Sequence, residues 1–122
     1  MSWRRCAAFA GAPASEGRLA AWGRLRVAQL FCNERRIQEQ RTNLLASGES
    51  RIKLDGAEDW RECCFFSQKE KLAFALAEAL TLCPECRSSR ILLWYAHDML
   101  DEAEFIELMI AIHSMRSEIL IT

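Results

Sequence analysis

The chain has 122 residues, 51% of them hydrophobic and 27% charged, and its sixteen basic and seventeen acidic side chains leave a net charge of −1. That composition fits one globular domain and excludes a disordered chain. The near-neutral charge offers no attraction to nucleic acid or anionic lipid, and no run approaches the ~20 apolar residues of a membrane span.

A domain of this length can bury roughly 65 to 70% of the surface its unfolded form exposes, so a core can form without covalent staples. Cys6, Cys32, Cys63, Cys64, Cys83 and Cys86 are unevenly spaced, which reads as a set of mostly reduced thiols in a cytoplasmic protein. Two arginines precede a short apolar run at the start, the outline of an export signal, but Gly11 and Pro13 break it early. The expectation is a soluble protein.

One valine, one tyrosine and three threonines leave few strand formers among abundant Ala, Leu, Glu, Arg and Gln, so the fold class is all-α. Residues 1–14 read as a loose tail before a single domain over 15–122. Ser15 can cap a first helix carrying Leu19, Trp22, Leu25 or Arg26, Gln29 and Leu30 on one side, weakened by Gly23. A second, polar helix spans Asn33 to Ser47 and closes at Gly48, a natural left-handed cap; it must be largely solvated. The turn-rich stretch Glu49 to Glu62 brings Ile52, Leu54 and Trp60 towards the core. Ser67-Gln-Lys-Glu70 is a capping box that starts a helix over 67–82, with Leu72, Ala75, Leu76, Ala79, Leu80 and Cys83 at helical spacing and Pro84 ending the run. A short helix follows from Ser88 or Ser89 to Met99, and Asp101-Glu-Ala-Glu104 repeats the capping pattern for a last helix to Leu120.

In that last helix Phe105, Ile106, Leu108, Met109, Ile110, Ile112, Met115, Ile119 and Leu120 cover more than half the circumference, wider than the apolar stripe of a surface helix. The excess, centred near Ile106 and Ile110, is expected to be buried against another subunit.

Arg26-Val-Ala-Gln-Leu30, Ala46-Ser-Gly-Glu49, Asp59-Trp60-Arg61-Glu62, the string from Phe66 to Leu82 and Glu102 to Ile112 together resemble the carboxymuconolactone decarboxylase superfamily, most closely its alkylhydroperoxidase D-like branch. The resemblance covers roughly residues 20 to 120, although Ser114 to Thr122 lacks the Trp-Asn-Arg-like ending common there. It implies an all-helical oligomer, a trimer or hexamer. In the peroxidase-type members one helix carries Cys-x-x-Cys-x-x-x-His, with a glutamate twelve residues before the first cysteine: one cysteine attacks, the other resolves, and the histidine and glutamate relay the proton. Carried onto this chain, Ala21 stands at the glutamate, Asn33 and Arg36 at the two cysteines and Gln40 at the histidine. None of these can form a thiolate or exchange a proton near neutral pH, so the resemblance implies a catalytically degenerate protein, a binding or interaction module whose small-molecule ligand the sequence does not name.

The alternative is a thiol–disulfide oxidoreductase or peroxidase-type protein using Cys83 and Cys86. Cys83-Pro-Glu-Cys86 is the one Cys-x-x-Cys in the chain; Cys86 precedes a helix that begins with Arg87 and Arg90, the better setting for a thiolate. The competing reading is a tight turn that happens to hold two thiols, with Cys83 continuing the buried stripe of its helix. A metal centre joining Cys63 and Cys64 to Cys83 and Cys86 is excluded by the helix between them, ~24 Å long. Cys32, adjacent to the replaced site, has no partner three residues on, and as a helical position would face away from it. His97 and His113 lack ligands at metal-binding spacing, and no metal or cofactor is expected.

Overall fold

The computed structural model describes residues 18–121, so the expected N-terminal tail and the cap at Ser15 lie outside the described residues. Those residues form α1 (Arg18–Leu30), α2 (Glu34–Ala46), α3 (Arg51–Asp55), a 3-10 turn at Ala57–Asp59, α4 (Gln68–Leu82), α5 (Arg87–Met99) and α6 (Glu102–Ile121). No strand occurs among them, in agreement with the all-α expectation.

Side-chain caps set most of the helix starts. Asn33 accepts from the Arg36 amide at 3.1 Å, and Ser50 does the same for Lys53. At Ser67 and Glu70 the box is reciprocal, with bonds of 3.1 and 2.9 Å, and Asp101 and Glu104 repeat it. Each such cap is worth about 1 kcal/mol. Gly48 ends α2 at φ 99°, a conformation that costs glycine little and a side chain much. The long axis of α4 keeps Cys63 and Cys64 at one end and Cys83 at the other.

Helix α1 lies at the centre. Leu19 and Val27 join Leu72, Leu76, Leu80, Leu108, Ile112 and Met115 in one apolar cluster, while Trp22 and Leu25 join Leu44, Leu54, Trp60, Phe66 and Phe74 in a second. The single apolar side expected of this helix is therefore too narrow: Ala20, Gly23 and Ala28 are buried as well. Gly23 is a contact rather than a weakness, because a Cβ there would sit 2.8 Å from Leu108 Cδ1 and 3.4 Å from Ile112 Cγ1. Helix α4 is also buried more widely than its leucine stripe, with Ala73, Phe74 and Ala77 fully enclosed.

The second cluster is aromatic. Phe74 stacks on Trp60 at 5.4 Å and meets Phe66 edge-on at 5.0 Å, while Trp22 meets Phe66 edge-on at the same distance. Leu54 and Trp60 turn inwards as expected, but Ile52 is 64% exposed. Its helix is a single capped turn, and with Leu54 on the inner side the position two residues earlier faces outwards.

Replacing Gly23 by valine forces branched carbon into the α1–α6 contact. Chemical denaturation is expected to show a loss of about 1–3 kcal/mol; unchanged stability would mean that α6 does not pack closely on α1.

Candidate functional site

The four positions implied by the resemblance are occupied structurally. Asn33 spends its side-chain oxygen as the N-cap of α2. That bond satisfies the Arg36 amide, one of the unpaired amides of the helix start. Arg36 reaches Glu39 at 3.1 Å and Glu118 of α6 at 3.3 Å. Gln40 is 7% exposed, and Ala21 packs against the aromatic cluster. A shallow surface depression on α2 is lined by Arg35, Gln38, Glu39, Thr42 and Asn43; none of the four positions lines it.

Cys32 is not helical. It lies in the turn between α1 and α2 at φ 54°, exposed, with its amide bonded to the Gln29 carbonyl. The expectation that it would point elsewhere as a helical neighbour is corrected on that ground. His97 packs edge-on against Phe105 at 5.1 Å, and His113 is exposed.

Cys83 and Cys86 are brought together. They form a disulfide with their Cα atoms 5.5 Å apart, within the spacing such a bond needs. Cys83 is the C-cap of α4 and Cys86 the N-cap of α5, so Cys83 leaves the buried helical stripe and turns towards its partner. The intervening turn is closed by the Cys86 amide on the Cys83 carbonyl at 3.3 Å. The same carbonyl accepts from the buried Ser89 hydroxyl at 2.6 Å. Both cysteines are half-buried, whereas Pro84 and Glu85 are exposed.

Two ionic clusters went unseen in the sequence. Glu78 of α4 accepts from Arg26 of α1 and the Trp60 indole, both at 2.9 Å, and from Arg61 at 2.7 Å. Burial alone would raise its pKa. The hydrogen bonds from Arg61 and Trp60 and the charges of Arg26 and Arg61 outweigh that and hold it below its ordinary value. A carboxylate so fully engaged is a strut between elements, not a free acid or base. The second cluster runs from Arg18 to Glu49, from Glu49 to Lys53, and from Lys53 to Glu70. Lys53 also lies over the Trp22 and Phe66 rings.

Comparison with known proteins finds 29% identity over 98 residues with the uncharacterized protein YdfG of Bacillus subtilis (strain 168), covering 77% of this chain and 64% of that protein. The chain thus spans less than two thirds of the length of the relative it matches. No family model matches the chain, and no solved structure matches it.

Because the folded pKa of Glu78 is depressed, its ion pairs contribute stability above the ordinary carboxylate range and lose it as pH falls through the folded value. Glu78→Gln is expected to lower stability at pH 7 by about 1–3 kcal/mol and to flatten the decline below about pH 4. Parallel denaturation curves for the two proteins from pH 3 to 7 check this, and an undiminished acid slope would contradict it.

Proposed function

We propose that this protein is an oligomeric, non-peroxidatic binding or interaction module of the alkylhydroperoxidase D-like type, assembling as a trimer or hexamer. The observation that carries the reading is apolar surface left bare on the last two helices. Ile106 is 48% exposed and Ile110 59%, in the arc where the sequence places an intersubunit contact. On α5, Ile91, Trp94 and Tyr95 stand at helical spacing on one side, Trp94 80% exposed. Apolar side chains grouped in this way favour association over solvation.

The catalytic half of the reading rests on residue chemistry. Asn33 and Arg36 supply no thiolate and no resolving sulfur, and both are committed to a cap and to ion pairs. What remains at that end of α2 is a polar surface suited to holding a neighbour or a small polar molecule. No helix among the described residues is long and apolar enough to cross a membrane.

Light scattering on the full chain at micromolar concentration is expected to give the mass of three or six subunits. Ile106→Asp is expected to shift it to the monomer with helical content unchanged. A monodisperse wild-type monomer would overturn the reading.

A further inference from the structure

The turn between α4 and α5 carries chemistry that the replaced site lacks. Its two sulfurs are already bonded, and the hydrogen bonds around them do not depend on that bond. The Cys86 amide and the Ser89 hydroxyl both close on the Cys83 carbonyl, and the Arg90 amide bonds the Cys86 carbonyl at 3.1 Å. After reduction the same backbone keeps Cys83 beside Cys86, so closing and opening the bond needs little rearrangement. The two ends of the turn differ in electrostatics. Cys83 ends a helix, where carbonyls point outwards; Cys86 starts one, and the first turn of α5 carries Arg87 and Arg90 but no acidic side chain. Negative charge is therefore favoured on Cys86 and disfavoured on Cys83.

We propose that Cys83-Pro84-Glu85-Cys86 is a two-electron thiol–disulfide exchange site for low-molecular-weight disulfides, with Cys86 attacking and Cys83 resolving. In the reduced protein the Cys86 thiolate attacks one sulfur of the substrate R–S–S–R and expels R–S⁻, leaving a mixed disulfide on Cys86. Cys83 passes its proton to the expelled thiolate and attacks the Cys86 sulfur, expelling the second R–S⁻, which takes from water the proton that Cys86 had released. Two electrons pass from the cysteine pair to the substrate, which leaves as two thiols. The chain returns to the bonded form seen here. The exposed Pro84-Glu85 tip gives a small disulfide access to the half-buried sulfurs. The site lies outside Asn33, Arg36 and Gln40, and the proposal is independent of self-association.

The test uses the full chain, reduced and freed of reductant, mixed with glutathione disulfide, quenched by alkylation at intervals and mapped by peptide mass. Cys32 and Cys64 are exposed and serve as internal controls, since access alone would make them react first. Cys86 is expected to acquire glutathione about tenfold faster than either, and the wild type to finish with the Cys83–Cys86 bond and two glutathiones released by the pair. Cys83→Ser is expected to stop at glutathione on Cys86 with one released. The proposal is overturned if Cys86 reacts no faster than Cys32 and Cys64, if glutathione enters first at Cys83, or if the wild type retains the mixed disulfide. The wild-type measurement decides even where the serine variant folds poorly.

Discussion

The structure depends on the enclosure of α1 between α4 on one side and α6 on the other. A helix covered on both sides must present small residues where its neighbours come closest, since an interior packed to crystal-like density leaves no room for an added methyl. Gly23 meets Leu108 and Ile112 in this way, and Ala20 and Ala28 are buried beside it. The larger residues divide between the two apolar clusters, Leu19 and Val27 to one and Trp22 and Leu25 to the other. Arg26, at the edge of the same helix, leaves its charge in the half-buried ion pair with Glu78. That pair ties α1 to α4, and through Trp60 and Arg61 it also tethers the loop ahead of α4.

With the centre so committed, distinctive chemistry is left to the peripheral helices. Helix α2 buries only Gln40 and Leu44, and α5 only Ser89 and Ala96. At the start of α2, Asn33 serves as the cap and Arg36 forms ion pairs, one of which reaches α6. In α5 the start of the helix is joined to the end of α4 by a disulfide, and its outer side carries Ile91, Trp94 and Tyr95. The proposed assembly surface and the proposed exchange site thus both involve α5, the first on its outer side and the second at its N-terminus.

Much of the fold was legible because it is written locally. The boxes at Ser67 and Asp101, the glycine cap at Gly48 and the stop at Pro84 are short patterns whose physics needs no distant partner. Cys83 and Cys86 were legible as a candidate pair for the same reason, three residues apart across one turn, although the sequence equally allowed two unbonded thiols there. The turn itself mattered, since helical continuation of α4 would have left Cys83 in its buried stripe. What the sequence concealed is what comes from afar. Glu78 collects its donors from residues 52, 18 and 17 positions away, and no periodicity encodes that convergence. Gly23 looked like a weakness in its helix because its need for space is set by Leu108 and Ile112 of α6. Ile52 was misplaced because one turn of helix is too short for composition to decide its facing.

We propose that the end of α2, where Asn33, Arg36 and Gln40 stand, keeps the place of a peroxidatic site without its chemistry. This is tested most directly by following hydroperoxide consumption with a dithiol or lipoyl reductant, in the wild type and in Asn33→Ala and Arg36→Ala. Neither substitution is expected to lower the rate below the background that the remaining thiols supply. Turnover well above that background which disappears in Asn33→Ala or Arg36→Ala would contradict it.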